Sequence, residues 1–242
     1  EYHGIIQSDG YQAYENYSPA KGHAGCLSHA RRKYEDALKS NTNLYKQVSR
    51  KGITDTEQEE LLNSNPSFAK ALWFIQQYDK VFRIERTLKQ SSLDFGEIVE
   101  IRNTKERSIL EEIHKEASEL ITKCAPSGKL YAALQYTLNQ WNALTYYLND
   151  GRIPASNNIA EREGIKPFVT ARKNFLFADT IHGAHMSSIW FSLIISSRMN
   201  KLNTEKYLTY VLDLLSSKEE ITDDMIDKCL PYSDQLPQYL KV

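Results

Sequence analysis

The sequence predicts an α/β protein that is mostly helical, with a short strand–helix–strand opening followed by a long run of amphipathic helices. Three observations carry this. The opening holds two short apolar runs, one ending at Asp9-Gly10 and one over residues 23–28, each of strand length and closed by turn or cap residues. Between Pro66 and Asn149, three longer stretches repeat apolar residues at helical spacing, the pattern of a helical bundle. Turn residues separate them at Asn65-Pro66, Pro126-Ser127-Gly128 and Asp150-Gly151.

Composition bounds the possibilities. With 242 residues, 41% hydrophobic and 25% charged, the chain has room for one or two cores. Thirty basic and 31 acidic residues leave a net charge of −1. A strongly basic nucleic-acid binder is excluded, so any DNA contact must rest on local cationic clusters. No apolar run reaches membrane-spanning length and no signal-peptide pattern is read, so no membrane partner is expected. Cys26, Cys124 and Cys229 are odd in number and far apart, as in reduced, intracellular thiols.

In order, Ile5 and Ile6 belong to a buried strand that ends at Asp9, where open α/β sheets place their chemistry. An Asp beside Gly10 also suits a simple turn, and both readings stand. A chain opening almost on a strand reads as the back part of a longer protein. Tyr11, Tyr14 and Tyr17 share helical spacing and read as packing, with Ser18-Pro19 as the stop. His23, Cys26 and His29 are three residues apart on a strand, with no fourth ligand near, which disfavours zinc. Ser28 is expected to cap a helix bearing Arg31, Arg32 and Lys33, the densest cationic cluster; it is either a solvated face or a phosphate contact. Residues 41–65 read as a polar loop with one short helix capped at Thr54 and Glu57. Helices then follow from Pro66 (Phe68, Leu72, Ile75, Phe82), over about 98–123, and from Leu130 to Asn149.

After the Asp150-Gly151 turn comes Asn157-Asn158-Ile159-Ala160-Glu161-Arg162. Asn158 and Glu161 have capping-box spacing, so Glu161 has a purely structural reading at a helix start. A break is expected near Pro167. Lys166, Arg172 and Lys173 then lead into Asn174-Phe175-Leu176-Phe177. Further helices are expected after His185 and from an Asn203-Thr204 cap, ending in a polar tail that wraps the surface.

Together these segments resemble the Insertion Sequence 66 family of transposases (TnpC type). The likeness rests on Ser8-Asp9-Gly10-Tyr11 with Tyr14, on the stretch from Gly25 to Tyr34, on Leu138-Asn139-Gln140-Trp141, and on the stretch from Asn157 to Phe177. It extends to Leu208–Leu212 and Leu230-Pro231. What the resemblance implies is an incomplete ribonuclease-H-like fold with a large helical insertion. Its parts would be residues 1–40 and 151–215, an insertion at 41–150 and a tail at 216–242. Asp9 and Glu161 would be catalytic and metal-binding acids for Mg²⁺ or Mn²⁺, as in a DDE-type transposase cleaving and joining DNA strands. Arg31, Arg32, Lys33, Asn157, Asn158, Arg162, Lys166, Arg172 and Lys173 would meet DNA. The partners implied are transposon-end and target DNA and further copies of the chain, in the bacterial cytoplasm. The family's first catalytic Asp is not found here, so the expectation is a truncated, inactive piece with an unpaired sheet edge. Two other readings stay open: a non-catalytic helical interaction module, and a ribonuclease-H-like nuclease that only hydrolyses.

Overall fold

A computed structural model describes residues 3–175, 178–217 and 220–242. The chain divides into two compact units, Glu1–Asn158 and Ile159–Val242, treated separately below. It is mostly helical with one small sheet, which is the expected class. Among the described residues, no helix is long and apolar enough to cross a membrane.

In the first unit, strand β1 (Ile5–Gln7) pairs in parallel with β2 (Gly22–Ala24), with Ile6 opposite His23. The connection carries the single turn α1 (Gln12–Glu15). β2 is shorter than the run that suggests it. Past Ala24 the backbone leaves the ladder, and the Gly25 amide donates to the Ala143 carbonyl at 2.7 Å. A Cβ on Gly25 would stand 3.0 Å from the Leu144 nitrogen, so this approach needs glycine.

Helix α2 (Leu27–Lys39) starts one residue before the expected Ser28 cap, and Cys26 at its N-cap makes no side-chain cap hydrogen bond. The first amide, on Leu27, instead donates to the Ala155 carbonyl at 3.0 Å, satisfying one of the four orphan donors of a helix start. Leu27, Ala30, Tyr34 and Leu38 form its buried stripe.

Residues 41–65 hold two helices rather than one, α3 (Thr42–Val48) and α4 (Asp55–Asn63). Asn41 caps α3, and Leu44 and Val48, four apart, reach the core. That pairing was too short to register as periodicity. The Thr54–Glu57 capping box forms in both directions and, through the Thr54 backbone amide first, holds the Glu57 carboxyl down at about 2.

The bundle centres on α5 (Pro66–Gln90), whose Phe74 ring stacks on Tyr34 at 4.4 Å. Each such ring, fully buried, contributes about 1.5–3 kcal/mol. Helix α6 (Phe95–Ile101) runs through a π-helical turn at Arg102–Glu106 into α7 (Arg107–Ile121). The third expected helix divides into α8 (Lys129–Asn139), α9 (Trp141–Thr145) and a 3₁₀ turn at Tyr146–Asn149. The docking of Gly25 on the α9 backbone accompanies the division.

In the second unit a π turn at Ala160–Ile165 leads into α10 (Lys166–Phe175). The expected break at Pro167 does not occur. Proline's ring clashes with the carbonyl four residues back, and the widened π turn at that place gives it room. Helices α11 (Ile181–Met199), α12 (Thr204–Ser216) and α13 (Asp223–Cys229) follow. A small core of Leu202, Tyr207, Val211, Cys229, Leu236 and Leu240 is closed by a bridge from Leu202 to Lys241 and by the Tyr207 hydroxyl donating to the Cys229 carbonyl at 2.8 Å.

Candidate catalytic site

The carboxyl end of β1 is built from long-range bonds. The Ser8 amide extends the ladder to the Ala24 carbonyl, and Ser8 Oγ accepts from the Gly10 amide. Gly10 turns the chain at φ 86°, where an L side chain is strained. Tyr136 of α8 donates its hydroxyl to the Asp9 carbonyl at 2.8 Å. Asp9 is thus fixed by its backbone while its carboxylate faces water.

Residues 154–158 run against this strand end. Gln7 Nε2 donates to the carbonyls of Pro154 at 2.6 Å and Gly25 at 3.2 Å. The Ala155 carbonyl takes the Leu27 amide, and Asn158 Nδ2 donates to Ser28 Oγ at 3.0 Å. Asn158 thereby tethers the chain to the start of α2. Asn157 Oδ1 is buried with no hydrogen-bond partner, a state that costs roughly 1–3 kcal/mol.

Glu161 sits half-buried in the π turn of the second unit. Arg162 pairs with Glu163 at 3.0 Å. Lys166 and Lys173 are exposed, while the side chain of Arg172 and residues Leu176 and Phe177 lie outside the described residues. On α2, Arg31 is engaged with Asp79 through two bonds of 2.7 and 3.2 Å and with Glu35 at 3.2 Å. These contacts raise its pKa, the Asp79 hydrogen bond most of all, and tie α2 to α5. Arg32 and Lys33 are exposed, and Lys33 Nζ lies 5.3 Å from the centroid of the Tyr136 ring.

Among the described residues, no three His, Cys, Asp or Glu side chains gather as a metal would require. The donor chemistry of Asp9 and Glu161 nevertheless suits a hard divalent cation, which prefers carboxylate oxygen. Sequence reasoning missed Gln7, Tyr136 and Ser28. Their partners lie more than a hundred residues away, beyond any local spacing rule.

The first unit is an α/β body with an acid just past the end of a parallel strand and a distant segment bound at that strand end. The family model described as "Transposase IS66 family" matches residues 1–186. The chain belongs to that family. Its curated relatives include three proteins of Sinorhizobium fredii (strain NBRC 101917 / NGR234), each described as uncharacterized. The one called y4jD is 26% identical over 98% of this chain and 43% of its own length. For y4hP the identity is 27% over 87% of this chain and 36% of its own length. A third, y4qI, is 27% identical over 86% of this chain and 35% of its own length. The chain thus spans less than half the length of these relatives. No solved structure matches.

Proposed function

We propose that this chain carries part of the DNA strand-cleavage and strand-transfer centre of a DDE-type transposase, with Asp9 and Glu161 as two carboxylate ligands of Mg²⁺ or Mn²⁺. The supporting observation is the anchoring of residues 154–158 at the carboxyl ends of β1 and β2, beside Asp9. Glu161 follows Asn158 by three residues, which span at most about 11 Å even when fully extended. In this reading that short connection brings an acid remote in sequence to the strand-end acid. The ribonuclease-H-like architecture belongs to the same proposal and is favoured by the parallel pairing of β1 with β2.

In this reading Asp9 and Glu161 hold the cations. A bound divalent ion supplies an activated water or DNA hydroxyl and stabilises the leaving oxygen. Arg32, Lys33, Lys166 and Lys173 meet phosphates. Arg31, already engaged by two carboxylates, serves chiefly to seat α2 on α5. Asn157 brings a buried acceptor to the same segment. With two acids, the chain alone is expected to bind Mg²⁺ weakly and to be inactive in strand transfer. Working assemblies are proposed to contain several copies on DNA in the bacterial cytoplasm.

Mn²⁺ binding followed by electron paramagnetic resonance tests the pairing. Asp9→Asn and Glu161→Gln should each weaken binding about tenfold or more, and the double variant should be little worse than either single one, as for two ligands of one ion. If only one substitution matters, or the two effects simply add, the shared site is wrong.

A further inference from the structure

The expected packing role of the tyrosine row is not what the fold shows. Tyr11 and Tyr14 are 63% and 50% exposed. Their rings meet edge to face with centroids 5.9 Å apart, while Tyr17 is half-buried. Tyr14 lies on the single turn α1 and Tyr11 directly before it, so both rings stand in water just past the end of β1. The turn before them sets their place. Tyr11 follows Asp9 by two residues, and the intervening Gly10 is turned at positive φ. A Cβ there would come within 3.1 Å of the Gln140 side chain. Tyr136 holds the Asp9 carbonyl and carries Lys33 against its ring.

We propose that Tyr11 and Tyr14 form a stacking platform for an unpaired base of single-stranded DNA next to Asp9; this rests on the reading of Asp9 as part of a DNA-cleaving centre. Exposed aromatic faces interleaved with cations are how proteins hold single strands without reading their sequence, since every base offers a π face. The exposed Lys33 lies against the Tyr136 ring, whose hydroxyl holds the Asp9 carbonyl. Phosphate contacts weaken as salt rises because they depend on counterion release, whereas ring stacking persists. A duplex keeps its bases stacked on one another, so the platform discriminates for a frayed or tailed end, where an unpaired nucleotide can turn out onto the rings.

The test uses the 242-residue chain in EDTA, with a blunt DNA duplex and the same duplex bearing a 3′ tail labelled with 2-aminopurine. The tailed duplex should bind more tightly than the blunt one, with a fluorescence change in the tail and a preference that survives added salt. Tyr11→Leu with Tyr14→Leu, which keeps apolar bulk but removes the rings, should weaken tail binding about tenfold and leave blunt binding unchanged. Tyr11→Phe with Tyr14→Phe should retain the preference, confirming that the rings and not the hydroxyls carry it. Equal binding of blunt and tailed DNA by the unaltered chain, or a retained preference in the leucine variant, overturns the proposal. Because metal is chelated throughout, this outcome is separate from that of the Mn²⁺ experiment, which judges Asp9 and Glu161 as ligands.

Discussion

Glu106 has no solvent exposure and lies among Tyr147, Glu85 and Arg102. Burial pushes its carboxyl well above the usual carboxylate range, opposed in part by the Tyr147 hydroxyl that donates to Oε2 at 2.6 Å. A neutral Glu106 removes the repulsion of Glu85 and can share its proton with it, while Arg102 pairs with Glu85 through bonds of 2.7 and 2.9 Å. The sign of the pH effect follows. Between the unfolded carboxyl's titration and the raised folded one, the folded protein binds more protons, so stability falls as pH rises through that window. Glu106→Gln keeps an acceptor for Tyr147 and cannot ionise. Its melting temperature should therefore match or exceed that of the parent at pH 7–8, with a flatter dependence on pH in thermal scans from pH 5 to 8. A variant less stable at pH 8 than at pH 5, relative to the parent, would mean that Glu106 is ionised in the fold. Such a residue is not legible in sequence. Glu106 and Arg102 look like ordinary helix-surface charges until the 3₁₀ turn at Tyr146–Asn149 closes over them.

At the scale of elements, the π turn at Arg102–Glu106 is the clasp between the bundle and the segment leading to Glu161. Arg102 Nη1 donates to the carbonyls of Tyr147, Asp150 and Ile153 at 3.0–3.1 Å, and Asn103 Nδ2 donates to Leu148. Arg102→Ala removes one partner of a buried pair and leaves Glu85 and three carbonyls unsatisfied, a loss of about 3–5 kcal/mol. Urea unfolding should show that loss, and amide exchange should accelerate over residues 147–158 before it does in α5. Unchanged protection there would separate the clasp from the tether. Elements whose cause is local were legible. Pro66 and the stripe from Phe68 to Leu88 announced α5, and Thr54 with Glu57 announced α4 through a cap that needs no distant partner. Elements shaped by distant partners were not: α2 opens on an amide given to Ala155, and Asn158 donates its side-chain amide to Ser28. Pro167 was misread because a π turn absorbs the clash that otherwise breaks a helix.

Over the whole molecule, the two acids fall one in each compact unit, Asp9 in Glu1–Asn158 and Glu161 in Ile159–Val242. Family likeness, not any local pattern, singled them out together, since caps and turns account for each acid taken alone. Their meeting on one ion is the central proposal. Iron-directed cleavage measures that meeting most directly. Fe²⁺ replacing Mg²⁺, with ascorbate and peroxide, generates hydroxyl radicals that cut only the backbone nearest the ion. The account predicts paired cuts near residues 9 and 161 in the same preparation, both suppressed by excess Mg²⁺ and both lost in Asp9→Asn or in Glu161→Gln. Cuts at one acid that persist when the other is replaced would contradict a shared ion.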